Sequence, residues 1–218
     1  MCSGRFLACL LIAASSVVFA HSASAQVVDF ETLIATQSVF GFDFNNDGID
    51  DVVFSSTDPA GFNTMGPDTT VQVHASGQVL ETSSTANPDI RVDFPGGATG
   101  QLQVGFALLT DVGELDQGLL LEVFDQTGNP LGSAFQRGEL LPITTGLGSG
   151  VSGFPEELLS VSFQGVASYA LFDATTTGSR FVIDNFTGTF SPAPVPEAGS
   201  LTLLGLAGLV LQDRRPKA

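Results

Sequence analysis

Between Gln26 and Phe190, apolar residues keep falling on every second position. Ile90, Val92 and Phe94 alternate with Arg91 and Asp93. Leu102, Val104, Phe106 and Leu108 alternate with Gln103, Gly105 and Ala107, and Leu119, Leu121 and Val123, then Leu159, Val161 and Phe163, continue the pattern. Successive side chains of a strand point to opposite faces, so this alternation puts one face on a core and the other toward water, the habit of antiparallel sheets. Turn signals punctuate it at Ala75-Ser76-Gly77, Pro95-Gly96-Gly97, Thr127-Gly128-Asn129-Pro130 and Thr176-Thr177-Gly178-Ser179. No window of a dozen residues in this stretch carries a helical stripe. About ten short strands without an internal repeat predict an all-β fold, a two-sheet antiparallel β-sandwich, over a propeller or a solenoid.

The first strand, Val27 to Glu31, and the last, Arg180 to Phe190, resemble the opening and closing strands of lectin-like and laminin-like jelly-roll domains. The resemblance implies that the two lie side by side. It also implies that Phe181 and Ile183 point inward, with Asp184 and Asn185 at a sheet edge or bulge where a polar pair satisfies backbone groups.

Both ends of the chain read as addresses. Residues 1–25 carry one positive charge at Arg5, an apolar run from Phe6 to Ala20, and a small-x-small site with Ala23 and Ala25, a secretory signal peptide with cleavage expected before Gln26. The only cysteines, Cys2 and Cys9, fall inside it, so an exported domain spanning 26–190 has no disulfide to staple it. At the other end, Pro192, Pro194 and Pro196 form a stiff spacer over 191–197. Residues 198–218 follow as a short hydrophobic helix with a basic end. The run Leu201 to Leu211 spans about 16 Å as a helix against roughly 30 Å of hydrocarbon, a thin anchor.

Val195, Pro196 and Glu197, the apolar run, and Arg214 with Arg215 together resemble the PEP-CTERM sorting signal of exported bacterial proteins. Ala198 stands where that signal usually has a second proline, and Asp213 dilutes the basic cluster. The resemblance implies Sec export, transient retention in the inner membrane through the C-terminal segment, processing by an exosortase, and delivery to the cell surface or the extracellular matrix.

Acidic residues outnumber basic ones 23 to 7, for a formal net charge of −16, and only Arg91, Arg137 and Arg180 of the basic residues lie between 26 and 196. Such a domain repels phosphate backbones, which excludes nucleic acid as a partner, and it attracts cations. Residues 43–51 concentrate the acids. Counting Asp43 as position 1, side-chain oxygens fall at 1 (Asp43), 3 (Asn45), 5 (Asp47) and 9 (Asp51), with Gly48 at the sharp turn and the Ile49 carbonyl at 7. Alternate residues of a tight loop converge their oxygens, as a hard cation such as Ca2+ requires. Phe54 at position 12 and the strand-like flanks Val39–Phe42 and Val52–Phe54 exclude an EF-hand. The stretch resembles the calcium loops of FG-GAP repeats, which implies Asp43, Asn45, Asp47, Ile49 and Asp51 as ligands of one Ca2+. The alternative is a polar hairpin turn, Asn46-Asp47-Gly48, that needs no metal.

Catalysis finds little footing. Beyond the signal segment there is one histidine, His74, read as an edge residue on a strand from Thr70 to Ala75, and no cysteine. Gly148-Ser149-Gly150 reads as a Gly-rich loop with the wrong spacing for a nucleophile elbow. The carboxylate pairs Glu114 with Asp116 and Glu156 with Glu157 read as solvated loop charges. The expectation is therefore a non-enzymatic exported surface or matrix protein, a calcium-stabilised sandwich. The alternative is a carbohydrate-binding, lectin-like module with an exopolysaccharide as partner, using Asp184, Asn185 or the 43–51 loop. With no Trp, a single tyrosine at Tyr169 and 18 Phe mostly on the inward alternation, a sugar-stacking platform looks poorly supplied.

Overall fold

A computed structural model describes residues 24–32, 37–56, 60–65, 73–82, 90–109, 117–145, 148–151, 153–173 and 180–192. Residues 1–23 of the predicted signal peptide, Ala23 among them, Glu114 and Asp116, and everything beyond 192 lie outside them, including Val195, Pro196, Glu197, Arg214, Arg215 and the apolar run. The strands are β1 (Gln26–Val28), β2 (Val39–Phe42), β3 (Val52–Ser56), β4 (Phe62–Met65), β5 (Val79–Thr82), β6 (Ile90–Leu109), β7 (Gly118–Phe124), β8 (Pro130–Arg137), β9 (Pro142–Thr145), β10 (Gly148–Val151), β11 (Glu156–Ser162), β12 (Ala167–Asp173) and β13 (Arg180–Phe190). Every pairing is antiparallel, and the described residues contain no helix.

β6 organises the sandwich. At 20 residues and about 3.3 Å per residue it is too long to lie flat in one sheet of a domain this size. Its first half pairs with β3 and β12, and its second half pairs with β11 and β13. One sheet therefore runs β2-β3-β6-β12-β7-β8 and the other β4-β5-β13-β6-β11, with β1 added along the end of β13. The expectation that Pro95-Gly96-Gly97 ends a strand is corrected: it is the bend at which β6 passes from one sheet to the other. The β12 ladder steps from Asp93 to Ala98, so no bond is asked of the N–H that Pro95 lacks. Gly97 takes φ 91°, a left-handed conformation, at the bend.

The two sheets close on a core dominated by phenylalanine, including Phe30, Phe54, Phe106, Phe172, Phe181 and Phe186, all at or below 1% exposure. Phe186 sits at its centre, edge-on to Phe54 at 5.4 Å and to Phe172 at 6.1 Å, and stacked with Phe190 at 5.8 Å. Such pairs contribute about 0.5–1.5 kcal/mol each beyond their buried area, which suits a sandwich without disulfides. As the terminal-strand resemblance implies, β1 lies against β13, with Val27 opposite Thr187. Phe181 and Ile183 face the core. Asp184 and Asn185 sit at a bulge, Asn185 at φ 51°.

Candidate functional site

The 43–51 loop is the hairpin connection between β2 and β3, closed by the Asp51 N–H donating to the Phe42 carbonyl at 2.8 Å. Asn46 (φ 59°) and Gly48 (φ 86°) supply the two left-handed residues that the tight reversal needs. Alternate side chains do turn into the loop. The Asp43 carboxylate accepts from the N–H groups of Asp47 (3.3 Å) and Gly48 (2.7 Å). Asn45 Oδ1 accepts from Asp47 N–H (2.9 Å), and Asp47 Oδ1 accepts from Ile49 N–H (2.9 Å). Asn45 Nδ2 donates to Asp47 Oδ2 at 3.0 Å. Asp51 is 2% exposed, and its Oδ2 accepts from the Phe44 N–H at 3.0 Å. Among the described residues, no three side chains of His, Cys, Asp or Glu gather as a metal site. Ala25, at the predicted cleavage point, is exposed just before β1.

The outer face of the second sheet is built from β1 and β13 and from the segment around His74, expected on a strand. His74 is not on a strand; residues 73–78 cross the sheet as a bent strap. Ala107 and Val182 point outward beneath it and pack with Ala75 and Val79. Gly105 permits the approach, since a Cβ there would meet the His74 carbonyl oxygen at 2.0 Å. Carboxylates pin the strap. Glu156 accepts from the N–H groups of Val73 and His74, Asp184 from Ser76 N–H at 3.0 Å, and Glu31 from Gln78 N–H at 3.2 Å. Glu156 is thus no solvated loop charge: it begins β11 and is 0% exposed. The strap that buries it lies 82 residues earlier, and nothing local to Glu156 announces that cover. Burial raises the Asp184 carboxyl to about 6, with Glu31 and Asp29 adding to the rise. The imidazole of His74 lies 3.7 Å from Glu157. Likewise Gly148–Val151 is not a loop but strand β10, paired with β9.

Beyond the strap the same face is open. Thr99, Gln101 and Gln103 on β6 and Thr187 and Thr189 on β13 line a recess of about 190 Å³ together with Gly100, Gly188 and Ala25. On the outer face of the first sheet, Tyr169 of β12 stands between its register neighbours Asp93 on β6 and Phe124 on β7. Its ring stacks on Phe124 at 4.9 Å and 12°. The Arg91 guanidinium lies 3.9 Å from the ring centre and pairs with Asp93 at 2.6 Å. This ladder takes up both flanks of Tyr169. It was not legible from the alternation of β7, in which Phe124 ends the strand one place out of phase with Leu121 and Val123.

No family model matches the sequence, and no curated protein does. Among solved structures, the chain is similar to the K1 cleaved adhesin domain of Lys-gingipain from Porphyromonas gingivalis W83, at 14% identity and a TM-score of 0.41 over 76% of this chain and 97% of that one. It is also similar to the mannan-recognising carbohydrate-binding module TmCBM27, at 14% identity and a TM-score of 0.42 over 76% and 98%. A third is CsCBM6-3 from Clostridium stercorarium in complex with cellobiose, at 15% and 0.35 over 71% and 93%. At such identities and scores a likeness says nothing of ligand or activity.

Proposed function

We propose that this chain is a non-enzymatic exported module of the cell surface or extracellular matrix. In this reading the Sec machinery exports it, the C-terminal segment holds it transiently in the inner membrane, and an exosortase recognises Val195, Pro196 and Glu197 ahead of Arg214 and Arg215.

The observation that carries the non-enzymatic reading is the use made of the buried acids. Asp51, Glu81, Glu156 and Asp184 are each 2% exposed or less. Asp51, Glu156 and Asp184 hold backbone N–H groups, while Glu81 pairs with Arg180 and accepts from Asn63 Nδ2 at 2.7 Å. Buried and bonded in this way, these carboxylates brace the fold and are shielded from a substrate.

Ca2+ is part of the proposal, at the 43–51 loop, through the side chains of Asp43, Asn45, Asp47 and Asp51 and the carbonyl of Ile49. The donor set is all oxygen, which fits a hard cation, and the inward-turned oxygens of Asp43, Asn45 and Asp47 are each bound to N–H groups with lone pairs to spare. When bound, the ion would neutralise carboxylates that otherwise repel one another.

Two experiments test the reading. Deleting residues 196–218 should release the protein into the medium; a truncated chain that stays on the cells overturns the sorting role. Calcium should raise the melting temperature over EDTA, because a ligand bound only by the folded state stabilises it. Asp47→Ala should erase that difference, and equal melting in calcium and EDTA removes the ion from the proposal.

A further inference from the structure

The open half of the second sheet's outer face is neutral on a strongly acidic molecule. Among the described residues, those lining its recess include no Asp, Glu, Lys or Arg, whereas the chain carries 23 acidic residues and a formal charge of −16. In their place stands a grid of hydroxyl and amide groups. Thr187 lies directly across from Gln103, and Thr189 from Thr99. Gln103 Nε2 donates to Ser160 Oγ at 2.9 Å, which carries the grid onto β11. The Thr187 hydroxyl donates to the Asn185 carbonyl at 3.1 Å, leaving its oxygen free to accept.

Between the Thr187–Gln103 and Thr189–Thr99 pairs the ladder shifts register at a bulge containing Gly100 (φ 81°), which spreads the polar groups of β6 over a wider patch than a regular ladder would. A side chain at Gly100 would stand in open space, so its absence leaves the ground between the polar groups clear, whereas Gly188 faces inward onto Phe190 and Leu102.

We propose that this recess binds a neutral polysaccharide, one sugar ring seated over Gly100 with its hydroxyls meeting Gln101, Gln103, Thr187 and Thr189. The chemistry selects the occupant. Neutral hydroxyls need groups that both donate and accept, which Thr and Gln side chains are, and a volume of about 190 Å³ is below the roughly 300–1,000 Å³ of drug-sized sites, on the scale of a single ring. An acidic polymer would meet the repulsion of the whole domain. A protein partner would seek aromatic or arginine anchors at the centre of its contact, and the recess has neither. Each hydrogen bond to such a site nets about 0.5–1.5 kcal/mol, so one recess binds weakly and a repeating polymer is the natural ligand. Neither the calcium loop nor the tail enters this inference, and of the lining only Ala25 would leave with a signal cleaved before Gln26, so it stands or falls apart from the reading above.

Affinity electrophoresis of the full chain in mild detergent tests it, with dextran, mannan or xylan in the gel and acidic alginate as the comparison. Retardation by at least one neutral polymer and none by alginate is expected. The double variant Gln101→Ala, Thr187→Ala should lose at least tenfold in retention, and Gln101→Glu, at an exposed position where folding is undisturbed, should lose a similar amount. Tyr169→Ala, on the opposite sheet, should be retained as before. Failure of all three neutral polymers to retard the protein, retardation by alginate as strong as theirs, or full retention of the Gln101→Glu chain overturns the proposal.

Discussion

The carboxylate of Glu156 accepts the backbone N–H of His74 at 2.7 Å and that of Val73 at 2.8 Å, tying the start of β11 to the strap across the second sheet. Both bonds are charge-assisted and partly buried. Glu156→Gln keeps the shape but presents an NH2 to an N–H wherever it does not present its oxygen. Loss of about 1–3 kcal/mol is expected, read as a lower urea midpoint at unchanged m-value, with faster amide exchange at residues 73–78 than in the remaining core. A midpoint unchanged from the parent would show that the strap is held without Glu156.

Asp184 makes stability depend on pH in the direction opposite to an ordinary paired carboxylate. Burial raises its pKa in the folded chain to about 6, above the 3.8 of the exposed group. Between those values the folded state binds the extra proton, so this group's contribution falls as pH rises from about 4 to about 6 and is restored on acidification. Relative to Asp184→Asn, the parent should gain about 1 kcal/mol between pH 7 and pH 4.5, a value discounted for partial solvation. Parallel pH profiles for the two chains would contradict the assignment.

Asp125 supplies the contrasting limb. In the β7–β8 turn its carboxylate accepts from the Thr127 hydroxyl (2.7 Å), Asn129 Nδ2 (3.0 Å), Asn129 N–H (2.9 Å) and Thr127 N–H (2.8 Å), which lower its pKa to about 2. A depressed carboxylate stabilises above its unfolded value near 3.8 and loses that contribution as pH falls toward 2. Asp125→Ala should therefore flatten the acid limb of the stability curve below pH 4 without altering its slope between pH 5 and 7, measured by thermal melts across the range.

The contrast between these acids marks what the sequence can and cannot tell. The alternation in β6, β7 and β11 named the inward residues because a strand's period depends only on its own backbone. The Thr127-Gly128-Asn129-Pro130 turn was equally legible, since its hydrogen bonds are local. Glu156 and Gly105 were opaque: what buries the one and requires the other to lack a side chain is a strap more than 30 residues away. The bend at Pro95-Gly96-Gly97 was misread for a related reason, as Pro and Gly mark a break in direction without saying whether the strand resumes in a second sheet. In the 43–51 loop, spacing anticipated the inward turn of Asp43, Asn45 and Asp47. It gave no sign that Asp51 would turn to the Phe44 N–H.

Gly105 offers a separate test of the strap. Gly105→Ala places a methyl where the His74 carbonyl oxygen now lies at 2.0 Å, and the strap must lift from the sheet. Overpacking of this kind costs about 1–3 kcal/mol. Because Glu156 and Asp184 hold the same strap, the loss from Gly105→Ala combined with Glu156→Gln should be less than the sum of the two, since a strap already displaced has fewer bonds to lose. Strict additivity in chemical denaturation would mean that the two residues act on separate structures.

On the opposite sheet, the stack of Phe124, Tyr169 and Arg91 is held by two forces with different ranges. The Arg91–Asp93 pair is a surface ion pair, with side chains 44% and 37% exposed, and such pairs weaken as salt screens them. The guanidinium lying 3.9 Å over the Tyr169 ring gains from close contact with the ring face, which salt screens much less. A double-mutant cycle of Arg91→Ala and Tyr169→Ala should give a coupling of about 0.5–1 kcal/mol that largely survives 0.5 M NaCl, whereas the coupling between Arg91 and Asp93 should fall toward zero. Arg91→Lys should keep most of the ion pair and lose most of the ring coupling, since an ammonium lacks the flat face that lies on the tyrosine. Equal salt sensitivity of the two couplings would show that charge alone, and not stacking, orders this face.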